Sequence, residues 1–264
     1  MSKKGSYWAK HQEKLQEDGT GELAARPEKK AHVPISEELK LQFETGRVLL
    51  IDKPLHWTSF DAVRKIRNAI RIKKVGHAGT LDPLATGLLI ICTGKFTKKI
   101  NDYMAQEKEY TGSFTLGAVT PTYDKESTPV DFKETKDISA EQLHAATAGF
   151  IGEIQQVPPI YSAIKKEGVA LYELARRGVD VEIKARNIIV KAFEITSIEM
   201  PLIHFKVVCS TGTYIRSLAH DFGAKLGCGA YLSELRRTRI GEHLVENAQG
   251  IEEFLLGLRE GGEG

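Results

Sequence analysis

The chain has 264 residues, 41% hydrophobic and 27% charged, enough to bury a core as one large domain or two small ones. Its formal net charge of +2 excludes a globally basic molecule, so any nucleic-acid surface must arise from segregation of charge. Cys92, Cys209 and Cys228 lie far apart in apolar surroundings without a CxxC pair, which argues against a disulfide framework or a zinc site.

Residues 1 to about 34 are rich in Lys, Glu, Gly and Gln with almost no apolar periodicity, which reads as a disordered arm. Lys3, Lys4, Lys10 and Lys14 could touch an RNA backbone, although acids nearly balance bases there. Ser36 is placed to cap a short helix with Leu39 and Phe43 on one face. The domain reading is a largely disordered arm over 1–45, a catalytic body over 46–250, and a short helix and tail over 251–264.

Val48–Ile51 reads as a buried strand stopped by Asp52, Lys53 and Pro54. Thr58 or Ser59 can cap a helix whose Phe60, Val63, Ile66 and Ile70 form one inward stripe. Ala85–Cys92 fits a strand or a buried helix equally, and Lys95–Met104 reads as a basic helix. Tyr110, Phe114 and Leu116 alternate with Thr111, Ser113 and Thr115, the pattern of a half-buried strand. The polar, turn-rich stretch 120–136 reads as a flexible excursion, and Ser139 with Gln142 as the capping box of a helix reaching Ala148.

From Gln155 to Gly178, aromatic and basic residues interleave, with Lys165, Lys166, Arg176 and Arg177 following a stiff Val157–Tyr161 segment. This suits RNA backbone contact plus base stacking, and equally an ordinary surface hairpin and helix. Arg186–Ile198 and Leu202–Cys209 read as paired strands, and Thr213 as the cap of a helix that puts Tyr214 and Arg216 in its first turn. Strands in runs with scattered helices imply an α+β (mixed α/β) fold around one central sheet.

The segment that concentrates chemistry is VGHAGTLDPLATGLLII, Val75 to Ile91. Between Ala62 and Asn101 stand nine Lys or Arg and one carboxylate, Asp82. Small residues precede it and Pro83 follows, which biases Asp82 away from helical geometry and can hold it out from the chain. Asp before Pro is ordinarily a turn residue. In a basic groove, however, a carboxylate suits nucleophilic or base chemistry on a polyanion. No Walker A loop, GxGxxG turn, HExxH or Cys/His cluster is present, so neither a cofactor nor a metal is expected.

GHAGTLDPLATGLL resembles, nearly residue for residue, the motif of the TruB family of pseudouridine synthases. The resemblance extends from about Gly46 to Asn247 through VLLIDKPLHWTSFDAV, EKEYTGSFTLGAVTPTYD, VPPIYSAIKKEGVALYELARRG and CSTGTYIRSLAHDFGAKLGCGAYLSELRRTRIG. It implies the pseudouridine synthase fold, a mostly antiparallel central sheet flanked by helices with an RNA-clamping insertion. It further implies Asp82 as nucleophile, Lys53 and Pro54 in the site floor, and His77 at the RNA loop where the target base leaves. Tyr110 would stack on the flipped uracil, Tyr214 lie against the base, Arg216 pair with the carboxylate, and Leu235 line the pocket. Taken singly, the tyrosines would be core aromatics, Arg216 an exposed helix residue and Leu235 plain core.

The implied activity is isomerisation of uridine 55 in the TΨC stem-loop of tRNA, by a cytoplasmic monomer with no protein partner and no membrane association. Flipping a base out costs a few kcal/mol, about what one aromatic stacking contact and a clamped backbone return. The family's frequent C-terminal PUA domain is not expected, because only 248–264 follow the resemblance. Two alternatives are the catalytic subunit of an RNA-guided pseudouridylase and a tRNA-binding or tRNA-folding protein whose carboxylate is incidental.

Overall fold

The computed structural model describes residues 35–179 and 181–260. The arm expected over residues 1–34 lies outside them. The folded body begins earlier than Gly46: helix α1 (Glu37–Thr45), capped by Ser36 Oγ accepting from the Leu39 N–H, buries Phe43 in the core. The reason is the apolar face that Leu39 and Phe43 share, which needs cover from a core.

Ten of the strands form one sheet. Its main path runs β12 (Gln249–Gly250), β1 (Val48–Lys53), β3 (Ala85–Thr93), β10 (Ala230–Ile240), β4 (Lys108–Leu116), β9 (Leu202–Cys209), β8 (Arg186–Glu199), β5 (Gly152–Gln156). Only β1–β12 and β3–β10 are parallel; the other pairs are antiparallel. Strand β2 (Val75–His77) pairs with β3, and β11 (His243–Leu244) with β10. The architecture is the expected α+β, mostly antiparallel sheet.

β3 explains its own ambiguity in sequence. Leu89 and Ile91 face a core formed with α1, α2 (Ser59–Ile70) and the C-terminal helix Ile251–Glu260, while Leu88, Ile90 and Cys92 face a second cluster with Ile240 and Val245. A strand covered on both faces shows no alternation. The C-terminal helix therefore belongs to the body, its Phe254 meeting Phe43 edge-on with ring centroids 6.3 Å apart.

Helix α2 starts at a full capping box between Thr58 and Asp61. Its buried stripe is Ala62, Val63, Ile66 and Ile70, whereas Phe60 is 59% exposed. Phe60 falls well off the centre of that stripe at 100° per residue, so Ala62 takes its place. Lys95–Met104 is a 3₁₀ turn, Gly94–Lys99, followed by a short helix, α3 (Ile100–Ala105).

The largest core lies under the β4–β9–β8 half. There α4 (Ala140–Ala148, with the expected Ser139–Gln142 box) and α6 (Ile215–Lys225) pack Leu143, Leu218 and Phe222 onto Phe114, Phe193 and Phe205. Between β5 and β8 the chain forms the small hairpin β6–β7 (Lys165–Lys166 with Val169–Ala170) and helix α5 (Leu171–Arg176). This is the segment expected to clamp RNA.

Candidate active site

Asp82 sits in the loop joining β2 to β3, and neutral partners fix that loop at both ends. Ser59 on α2 accepts from the Leu81 N–H at 2.8 Å and donates to the Leu81 carbonyl at 3.1 Å. The His56 N–H donates to the Pro83 carbonyl at 2.7 Å, and Leu81 is buried. Arg237 on β10 closes the cage, donating to the carbonyls of Leu88 (2.8 Å), Gly79 (3.2 Å) and Thr80 (3.5 Å). Gly79 adopts a φ of 91°, conformational space open to glycine.

The Asp82 side chain is 40% exposed, and its Oδ2 lies 2.9 Å from Nε of Arg216, which is itself buried. Arg216 enters from the first turn of α6. Tyr214, not Thr213, occupies the N-cap position, and Thr213 Oγ1 instead donates to Ser210 O. The cap is satisfied from elsewhere: the Gln156 amide accepts from the Tyr214 N–H at 2.8 Å and donates to the Tyr214 carbonyl at 3.0 Å.

Arg216 also serves a second carboxylate. Asp124 Oδ2 stands 3.7 Å from its Nε, and Arg216 Nη1 donates to the Thr122 carbonyl at 3.3 Å. Asp124 is buried, accepting from Thr122 Oγ1 (2.6 Å) and the Glu126 N–H (2.9 Å). Its neighbour Tyr123 stacks on His220 of α6 with centroids 4.1 Å apart. The start of the stretch expected as a flexible excursion is thus tied down, with Thr120, Thr122, Asp124 and Ser127 joined by internal hydrogen bonds, while most of 125–136 is exposed turn and loop.

Asp82, Tyr110, Tyr214, Arg216 and Leu235 line one cavity of about 280 Å³, joined there by Lys108, Ser162, Ser210 and Arg237. None of the nine Lys and Arg that flank Asp82 in sequence lines it. Arg64 pairs instead with Asp61 at 2.7 Å, and Lys99 lies over the Phe96 ring. Burial raises the pKa of the Tyr110 and Tyr214 phenols above the ordinary value, so both remain neutral hydroxyls at physiological pH.

Lys53 does not line the cavity. It is fully buried and donates to the carbonyls of Pro54 (2.9 Å) and Trp57 (2.6 Å), and burial holds its pKa down to about 8 against the raising effect of the Asp82 charge. Pro54 is exposed, and His77 lies at the end of β2, outside the cavity lining. The His77 Nδ1 is buried without a hydrogen-bond partner, and burial lowers the ring's basicity.

Sequence reasoning missed Ser59, Asp124, Gln156 and the separate role of Arg237. A buried acid inside a polar segment carries no periodic signal, and a Gln that completes a remote cap has no local pattern. No group of three or more His, Cys, Asp or Glu among the described residues is arranged to hold a metal ion. No helix among them is long and apolar enough to cross a membrane.

A family model described as "TruB family pseudouridylate synthase (N terminal domain)" matches residues 67–215, and one for the "tRNA pseudouridylate synthase B C-terminal domain" matches 216–255. The chain is 54% identical over 220 residues to tRNA pseudouridine synthase B of Flavobacterium johnsoniae, covering 81% of this chain and 96% of that one. It is 49% identical over 215 residues to the protein of the same name from Chloroherpeton thalassium, covering 80% and 89%. Among solved structures it is similar to a chain in a Cbf5-Nop10-Gar1 complex, with TM-score 0.63 and 30% identity over 82% of this chain and 55% of that one. A chain in an H/ACA RNP bound to a substrate RNA containing 2'-deoxyuridine gives TM-score 0.60 and 29% identity over 83% and 54%. The chain thus spans little more than half the length of those structural neighbours.

Proposed function

The chain belongs to the TruB family of pseudouridylate synthases, and from that premise we propose that it converts uridine 55 in the TΨC loop of tRNA to pseudouridine, with Asp82 as nucleophile. The observation that carries this reading is the single cavity in which a caged carboxylate, oriented by a buried guanidinium at 2.9 Å, faces two tyrosines.

The reaction breaks the bond from ribose to N1, turns the uracil and rejoins it through C5. It needs no redox partner. Base extrusion fills the cavity, with Tyr110 and Tyr214 offering aromatic faces and Leu235 an apolar wall. Arg216 holds the carboxylate at a fixed angle, a charge-assisted contact of roughly 1.5 to 3 kcal/mol. Lys53 lies close enough for its charge and that of Asp82 to act on one another, and His77 stands at the loop's edge, toward the RNA from which the base has left. The β6–β7 hairpin presents exposed Lys165 and Lys166 for the RNA backbone.

Relatives matched over nearly their whole length are named as tRNA enzymes, which supports tRNA as the substrate; the reading adds a cytoplasmic monomer that works without a guide RNA or a protein partner. The test is incubation of the isolated chain with an unmodified tRNA transcript, followed by mapping of pseudouridine. Asp82→Asn should bind the transcript as the wild type does and convert none of it. Conversion by that variant refutes the nucleophile, modification at another position refutes the target, and tight binding without any conversion favours a tRNA-folding role.

A further inference from the structure

Two buried cations in the cavity have no part in the chemistry above. Lys108 stands two residues before Tyr110 on β4, and Arg237 is the cross-strand partner of Tyr110 on β10, so all three side chains share one face of the sheet. Lys108 is 5% and Arg237 1% exposed. Lys108 Nζ donates to the carbonyls of Met104 and Gln106, and Arg237 to those of Gly79, Thr80 and Leu88. Among the described residues neither forms an ion pair with a carboxylate, since Asp82 and Asp124 both face Arg216.

A buried cation with only neutral partners is costly to keep charged. For Lys108, burial and the nearby Arg237 charge bring the pKa down to about 8. A cost of this kind is maintained in a reaction cavity when negative charge arrives there during turnover.

Uracil enters neutral and becomes anionic. If the C1′–N1 bond breaks as an oxygen of Asp82 bonds to C1′, the electron pair stays on uracil, spread over N1, O2 and O4. If Asp82 adds at C6 instead, the pair moves to C5 and O4. In the first order the ring is neutral again once C5 has bonded to C1′ and the Asp82 carboxylate has left; in the second it is neutral once the Asp82 oxygen has left C6 after that bond has formed. The C5 proton is then lost and one gained at N1 with no change in charge, so negative charge on the ring is greatest between cleavage of the C1′–N1 bond and formation of the C5–C1′ bond.

Resting on the uridine-isomerase reading, we infer that Lys108 is a further catalytic residue, its ammonium stabilising the charge the uracil takes up. Arg237 is a positioning residue that fixes the adjacent loop and adds to the positive potential.

The experiment compares tRNA transcripts carrying uridine or 5-fluorouridine at the target, because the fluorinated ring bears negative charge more readily and needs less help. Single-turnover loss of the parent nucleoside by Lys108→Met should slow roughly hundredfold with uridine, and by at least about fivefold less with 5-fluorouridine, at unchanged tRNA affinity. Lys108→Gln keeps a neutral donor for the two carbonyls, so it should fold like the wild type and show the same selective loss. A purely structural role would slow both substrates by the same factor. Equal slowing, or wild-type rates in Lys108→Gln, overturns the inference. A wild-type chain that converts no uridine overturns the isomerase reading itself, a distinguishable result.

Discussion

Replacing Arg216 by Met separates two jobs of one side chain. The guanidinium lies between Asp82 (2.9 Å), Asp124 (3.7 Å) and the Thr122 carbonyl (3.3 Å). The two carboxylates differ in exposure: the Asp124 side chain is 8% exposed and that of Asp82 40%. Removing one partner of a buried pair costs about 3 to 5 kcal/mol, and this falls on Asp124. Asp82 keeps its water, so its loss contributes little to stability.

For the reaction the weighting reverses. Asp82 loses the contact that fixes its angle, and a misplaced nucleophile slows conversion on the order of a hundredfold. Asp124→Asn keeps acceptor geometry for Thr122 Oγ1 and the Glu126 N–H but removes the stranded charge. Urea unfolding should therefore show Arg216→Met destabilised by several kcal/mol, and Arg216→Met/Asp124→Asn recovering most of that. Single-turnover pseudouridine formation should stay slow in both. A double variant no more stable than Arg216→Met, or a single variant converting at the wild-type rate, would refute the division of roles.

The remaining predictions concern other parts of the same frame. In Gly87→Ala the new Cβ would lie 2.3 Å from the Arg237 carbonyl oxygen at a φ of +102°, so urea unfolding should show a loss of about 3 kcal/mol or more. Gly168→Ala, at a φ of +84° with nothing within 4 Å, should cost only about 1 kcal/mol. Because the folded pKa of Lys53, about 8, lies below its ordinary 10.5, the unfolded chain holds that proton to higher pH. Wild-type stability should rise relative to Lys53→Met as pH climbs from about 8 toward about 10, measured by chemical denaturation, and a constant difference would contradict the buried-ammonium assignment. Lys165→Ala/Lys166→Ala should lower the slope of log tRNA affinity against log salt by about one to two; an unchanged slope would remove the hairpin from the RNA surface.

The local devices were legible in the chain itself. Ser36, Thr58 (one of the two candidates, Thr58 and Ser59) and the Ser139–Gln142 box cap the helices they announce, because a cap is satisfied within four residues. The alternation of Tyr110, Phe114 and Leu116 likewise marks β4, whose one face meets the aromatic core. By contrast, the Asp124 segment looks like a mobile loop in sequence because its polar groups find their partners at Arg216, His220 and the backbone near Leu232, far along the chain.

The same divide runs through the cavity. The glycine-rich bend and its following proline determine that Asp82 is turned out of regular structure, and the motif string carries the family resemblance. The charge around it was decided only in three dimensions. The nine nearby Lys and Arg line no part of the cavity, while Arg216 and Arg237 arrive from a helix and a strand near the other end of the chain. Sequence proximity delivers charges to whichever face the helix and strand periods assign. Sheet order, with β10 inserted between β3 and β4, is what brings distant cations to the carboxylate, and no local interaction encodes that order.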